Sequence, residues 1–321
     1  MELIPDTVSL DDYMDEPDFR ASVRSASDFA EQVKADLDPH APTDTAPGLL
    51  LRRARGLIHF RPGEVTVWTG YNGHRKSMLT SQAAIDLAVQ NERVLLVSLE
   101  MMPWRTMSRM TRQACGMSHP VPVLIDKFHD WTDGRIWLFD HVGRIAPDRA
   151  LALCRYFAEV HKGTHIFLDS WMMVCSSEEN LDEQKQFSTD LCRLAQETGL
   201  HVHVVAHCRK PGGTSSENKP PTRYDIRGSG AISDQASNVL IVWANKDKSA
   251  RLDANPSDIE ALKEPCGILR CDKQRNGSWE GSIKLWHDSG SLRFCEDRTT
   301  PVEPYKFITE TGPRALKGPS A

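Results

Sequence analysis

"EVTVWTGYNGHRKSMLT", residues 64–80, is the stretch on which the fold turns. It reads as a strand (64–70) that runs into a loop and then directly into a helix (77–91). The loop, "GYNGHRKS" (70–77), fits the phosphate-cradling pattern G-x-x-x-x-G-K-S at Gly70, Lys76 and Ser77, with Arg75 where the pattern has its second glycine. Such loops work because backbone N–H groups converge on a β-phosphate at a helix N-terminus, where the helix dipole favours negative charge. In that role Lys76 bridges β- and γ-oxygens and Ser77 holds Mg2+. The candidate nucleotide-binding segment is Gly70, Tyr71, Asn72, Gly73, His74, Arg75, Lys76, Ser77 and Met78. A glycine turn before a helix is the plain alternative. Arg75 leaves two cases open: a positive φ costs a non-glycine residue about 1–2 kcal/mol, whereas a right-handed backbone costs nothing and adds a charge beside phosphate.

Outward from this loop, strands and helices alternate. "RVLLVSLE" (93–100) is a buried strand, "MMPWRTMSRMTRQACG" (101–116) a helix and "RIWLFDH" (135–141) a strand. "APDRALALCRYFAEVHK" (146–162) is a helix with Pro147 near its start, and "THIFLDS" (164–170) a strand. "LDEQKQFSTDLCRLAQETG" (181–199) is a helix closed by Gly199, and "HVHVVAH" (201–207) a strand. This alternation predicts an α/β fold with a parallel sheet flanked by helices. "NVLIVWAN", "CGILRCDKQRNG", "GSIKLWHD" and "SLRFCE" follow as an antiparallel C-terminal extension.

Ligands of such sheets gather at the carboxyl ends of the strands. Gly70, Glu100, Asp169 and His207 all fall there. Asp169 is placed to steady Mg2+ with Ser77, although a turn aspartate after a strand is common. Glu100 is placed to orient an attacking water. His207 is placed to sense a γ-phosphate. His201 and His203 read as packing or surface residues.

Six segments in order carry a resemblance: "RPGEVTVWTGYNGHRKS", "LLVSLEMM", "IFLDS", "VVAHCRKP", "DIRGSGAISDQASNVLIV" and "DKQRNG". Over residues 45–295 the chain resembles the RecA-like motor domain of DnaB-type replicative helicases, including phage primase-helicases and the mitochondrial Twinkle protein. The resemblance implies ATP and Mg2+ at Lys76 and Ser77, Glu100 as the catalytic carboxylate, Asp169 as the Walker B residue and His207 as the sensor. It also implies that Lys273 and Arg275 reach a neighbouring subunit's nucleotide, with Arg275 as the finger. It implies a homo-oligomeric ring, usually a hexamer, around single-stranded DNA, with a primase or loader as a further partner. Arg75 departs from the family's glycine, and only about 45 residues precede the motor.

The chain has 321 residues, a net charge of −5, 40% hydrophobic and 26% charged residues, so an anionic partner must meet a local basic patch. The segment 208–227 provides one: Arg209, Lys210, Lys219, Arg223 and Arg227 stand against Glu217 and Asp225. Gly228 and Gly230 let backbone N–H groups approach a strand. Few aromatics accompany these charges, which predicts backbone contact rather than base stacking. A solvated surface loop is the bland alternative. Eight cysteines without a C-x-x-C pair point to reduced thiols in a cytoplasm, a host's if the chain is phage-encoded. No apolar run approaches a membrane span. The expected organisation is an acidic N-terminal segment over 1–45, disordered to about residue 18, with a linker helix near 27–37. A RecA-like ATPase domain over 46–298 and a fraying tail over 299–321 follow. A nucleotide-gated DNA-binding protein with poor turnover and a recombinase relative are the competing readings.

Overall fold

The computed structural model describes residues 2–5, 26–38, 46–175, 180–211, 217–228 and 230–310. Among them ten strands form one sheet. These are β1 (Glu2–Pro5), β2 (Val65–Gly70), β3 (Val94–Ser98), β4 (Ile136–Asp140) and β5 (His165–Asp169). The others are β6 (His201–His207), β7 (Asn238–Ala244), β8 (Gly267–Gln274), β9 (Gly281–Asp288) and β10 (Arg293–Cys295). Their order is β1-β4-β3-β5-β6-β2-β7-β8-β9-β10. The helices are α1 (Ala30–Asp36), α2 (Lys76–Val89), α3 (Pro103–Cys115), α4 (Pro122–Thr132) and α5 (Pro147–Val160). After them come α6 (Leu181–Thr198), α7 (Ala231–Gln235), α8 (Lys246–Ala254), α9 (Ile259–Lys263) and α10 (Lys306–Thr309).

The central strands are apolar on both faces because helices cover both. Val67, Leu95, Ile166 and Val204 pack against Phe157 of α5 and Phe187 and Leu191 of α6. Trp68, Leu96, Phe167 and Val205 pack on the other side against Leu79 and Ile85 of α2, Met110 of α3 and Phe128 of α4. Helix punctuation follows the sequence. Pro147 opens α5, and Gly199 at φ 72° closes α6, accepting the left-handed conformation that branched residues resist. The antiparallel extension begins one strand later than expected, since β7 pairs parallel with β2 and only β8, β9 and β10 run antiparallel.

Two expectations are corrected at the ends. Residues 2–5 are a strand paired with β4, not disordered chain. The tail does not fray from Thr299. Instead the Phe307 ring stacks on Trp131 at 3.7 Å, and the Tyr305 hydroxyl donates to Asp86 Oδ1 at 2.6 Å. The other Asp86 oxygen accepts the Leu50 N–H at 3.0 Å, so one buried carboxylate of α2 clasps both ends of the domain. Burial pushes the Asp86 carboxyl up to about 6. Residues 311–321 and 6–25 lie outside the described residues.

His165, His201 and His203 are buried between the strands. Trp68 Nε1–H donates to His203 Nδ1 at 3.2 Å, which leaves the His203 proton on Nε2, 3.1 Å from His165 Nδ1. His201 Nδ1 sits 2.6 Å from the Arg61 carbonyl and must donate to it, so its Nε2 accepts from Thr66 at 2.8 Å. Desolvation holds all three well below the usual histidine value, His201 at about 4. Among the described residues no helix is long and apolar enough to cross a membrane.

Candidate active site

Register assembles the site. Gly70 lies opposite His207, Asp169 opposite Ser98 and Val205, and Glu100 follows two residues beyond Ser98. Gly70 has φ 152°, and a Cβ there would meet the Val242 carbonyl oxygen at 2.2 Å, so the first glycine is required twice over. Gly73, at φ 74°, supplies the loop's left-handed turn. Arg75 sits at φ 65° and ψ 25°, immediately before α2. The open question about it is thereby answered: the backbone is left-handed where the family has glycine. Its side chain is half-buried, close enough to His287 to help burial hold that ring at about 4.

Lys76 is buried and donates from Nζ to the Gly70 and Tyr71 carbonyls, both at 2.9 Å, and to His207 Nδ1 at 3.1 Å. Desolvation lowers the ammonium to about 8, against the pull of Asp169 and Glu100, so it stays mainly charged at neutral pH. Because His207 Nδ1 accepts from Lys76, its proton lies on Nε2, 3.7 Å from Glu100 Oε1. Ser170 donates to the same carboxylate oxygen at 2.5 Å. The His207 contact, then the Ser170 bond, hold Glu100 down to about 2, so it is ionised at any ordinary pH. Asp169 is raised by burial, with the neighbouring Ser77 side chain acting the other way. The loop lysine is thus hydrogen-bonded to the sensor histidine, whose other nitrogen faces the carboxylate at 3.7 Å, with Ser77 and Asp169 beside them.

The fit to nucleotide and magnesium rests on these groups. Ser77 and Asp169 offer the hard oxygen donors that Mg2+ takes, few in number, with the rest of its shell left to water and phosphate. Lys76, held by two backbone carbonyls and a His207 ring nitrogen, is available to an incoming phosphate. Arg109, which sequence reasoning missed, reaches in from α3. Its Nη1 donates to the Ser77 carbonyl at 2.9 Å, and it shares a small cleft with Ser77, Thr106 and Asp169.

Lys273 and Arg275 are not brought to this cluster. Lys273 pairs with Val239 at the start of β7, level with the start of β2, whereas the phosphate loop leaves the other end. Val239 in turn pairs with Val67, and at a rise of about 3.3 Å per residue the three steps from Val67 to Gly70 separate the two levels by roughly 10 Å. Lys273 Nζ donates to the Ser233 and Asp234 carbonyls at 2.9 and 2.7 Å, and Arg275 Nη2 to Asp234 at 3.2 Å.

The basic segment is tied to the sensor strand. Arg227 N–H donates to the His207 carbonyl at 2.8 Å, and Arg209 N–H to Asp225 at 2.7 Å. Lys210, Lys219, Arg209 and Arg227 are exposed; Arg209 also reaches the Gly228 carbonyl at 3.3 Å. Arg223 is half-buried and donates to the Asp272 carbonyl at 3.1 Å. Gly230 precedes α7. Asp225 is used internally, closing a capping box with Thr222. The sequence reading undervalued Tyr224. Its ring is 76% exposed, with the Arg223 guanidinium 5.2 Å from its centroid.

The family model for AAA domains matches residues 48–213. The DNA helicase/primase of Enterobacteria phage T3 is 27% identical over 247 residues, which cover 70% of this chain and 43% of that protein. The chain thus spans under half the length of this relative. Among solved structures, an ATPase domain superposes with a TM-score of 0.71 at 14% identity, covering 86% of this chain and all of that one. A DnaB-like replicative helicase, solved in a study of its interactions with primase, gives 0.67 at 13% identity over 86% of this chain and 68% of the other. The chain belongs to the AAA domain family and carries the RecA-like ATPase fold of DnaB-like replicative helicases.

Proposed function

We propose that this chain is the ATP-driven motor of a ring-forming helicase that translocates on single-stranded DNA. The observation that carries the reading is the line Lys76–His207–Glu100–Ser170, whose histidine is bonded through its own carbonyl to the basic segment. The reaction is attack of water on the γ-phosphorus of ATP with release of ADP. Lys76 leaves the Gly70 and Tyr71 carbonyls for the β- and γ-oxygens. A carboxylate as acidic as Glu100 removes a proton poorly but accepts a hydrogen bond well, so it positions the water. Ser77 and Asp169 would hold Mg2+, which would supply charge neutralisation at the phosphate oxygens. His207 loses Lys76 when phosphate arrives, and its strand carries that change to Arg227.

The separation of Lys273 and Arg275 from their own phosphate loop supports action on a neighbouring subunit's nucleotide. Self-assembly has a further support. Val33 and Leu37 on the linker segment are 49% and 71% exposed. A groove of about 630 Å³ between α3 and α4, lined by Met102, Trp104, Met107 and Ile125, offers a neighbouring copy an apolar seat. On the DNA side, Lys210 and Lys219 meet phosphates, and the exposed Tyr224 adds a stacking face.

ATP hydrolysis with and without single-stranded DNA, for wild type and Lys76→Ala, tests the proposal. The expected result is DNA-stimulated turnover that Lys76→Ala abolishes. Undiminished turnover in the variant would remove the loop from the chemistry.

A further inference from the structure

His74 sits in the phosphate loop, yet both of its ring nitrogens are engaged outside it, and the residue is fully buried. The Ala244 N–H, which can only donate, lies 3.1 Å from Nδ1. The ring proton is therefore on Nε2, 3.2 Å from Glu217 Oε2. The same oxygen accepts from Lys246 Nζ at 2.7 Å, and the Glu217 carbonyl accepts from Trp243 Nε1 at 2.8 Å. Burial, with Lys246 and Lys76 nearby, holds His74 below its usual value against the opposing pull of Glu217. Glu217 thus joins the basic segment to the phosphate loop, to β7 and to the start of α8. The Lys246 ammonium also borders the loop itself, since a Cβ built on Gly73 would lie 4.0 Å from Nζ.

We propose that Glu217 is a positioning residue that latches residues 217–228 to the phosphate loop through His74 and Lys246, and that nucleotide phosphate loosens the latch by competing for Lys246. The inference rests on the proposed function above and adds to it a second route, separate from His207, between nucleotide and DNA. The turn that follows is built to pass on the movement. Asp225 accepts from the Thr222 N–H and hydroxyl at 2.7 and 2.9 Å, and Arg223 N–H donates to Asp272 at 2.9 Å. A shift of Glu217 therefore reaches Lys219 and Arg223 through a stiffened backbone. Linkage makes the coupling reciprocal: whatever nucleotide does to DNA affinity, DNA does to nucleotide affinity.

The test is amide hydrogen exchange over 217–228, with affinity for single-stranded DNA, each with and without a non-hydrolysable ATP analogue and Mg2+. In wild type the analogue should speed exchange in this segment at least threefold and shift DNA affinity. In Glu217→Gln, exchange should already be fast without nucleotide, and the shift in DNA affinity should fall at least fivefold, with DNA-independent ATPase within twofold of wild type. Exchange indifferent to bound nucleotide in wild type, or an unchanged affinity shift in Glu217→Gln, overturns the latch alone. If direct titration shows that wild type binds no nucleotide, the proposed function falls and the latch falls with it.

Discussion

Replacing Arg75 with glycine separates two roles for the unusual letter of the phosphate loop. The backbone at Arg75 is left-handed at φ 65°. The expectation is that this strain, about 1–2 kcal/mol for a residue with a Cβ, belongs to folding and not to binding. Glycine relieves it but leaves a freer unfolded chain, a cost of roughly 0.5–1 kcal/mol. Arg75→Gly should thus gain about 0.5–1 kcal/mol of stability in urea denaturation and leave nucleotide affinity within about threefold. The His287 imidazole should titrate higher by NMR, since the nearby guanidinium is one of the causes holding it down. A charge-assisted bond from Arg75 to phosphate would instead contribute about 1.5–3 kcal/mol. A tenfold or greater loss of nucleotide affinity in Arg75→Gly would refute the strain argument and make Arg75 a phosphate ligand.

Arg275→Ala should bind ATP normally and lose most turnover; if mixing it with Glu100→Gln subunits neither rescues nor poisons activity, action across an interface is unsupported. Replacing Lys210, Lys219 and Arg223 with Ala should flatten the salt dependence of DNA binding by roughly 0.7 of log–log slope per lost contact, and an unchanged slope would place the DNA path elsewhere. Tyr224→Ala should weaken DNA binding by about 1–3 kcal/mol with the salt slope intact; unaltered affinity would leave its ring without a base. The three buried histidines have folded values below the unfolded one of about 6.5. The unfolded chain therefore binds more protons as pH falls, and stability should drop from about pH 6.5 toward 4, by at most about 1.4 kcal/mol per pH unit for each histidine. His203→Gln should shallow that slope in urea denaturation at pH 7.5, 6.5 and 5.5, and an equal slope would mean the cluster is not what titrates.

The parts of the fold legible in the sequence were those written in short-range periodicity. Apolar strands ending on Gly70, Glu100, Asp169 and His207 announced both the sheet and the edge that carries the site, because the strand order brings those four ends together. What escaped depends on contacts between distant residues. Helix α4 lies between prolines and glycine turns that read as loop, and α8 has too few apolar residues to show a stripe. The docking of Tyr305 on Asp86 spans 219 positions and has no local pattern. Arg109, Glu217 and Lys246 gain meaning only from what folds against them. Arg75 was legible as a departure, but its sign needed a backbone angle.

The clasp at Asp86 has a mechanical consequence. Leu50 and Tyr305 meet on one carboxylate, so a pull applied between these two segments is borne in part at that point. Asp86 lies ten residues along α2 from Lys76, about 15 Å at the helical rise. Force from a neighbouring subunit or an attached domain would thus load a single rigid rod whose far end is the phosphate loop. The same joint that closes the domain is a lever on Lys76.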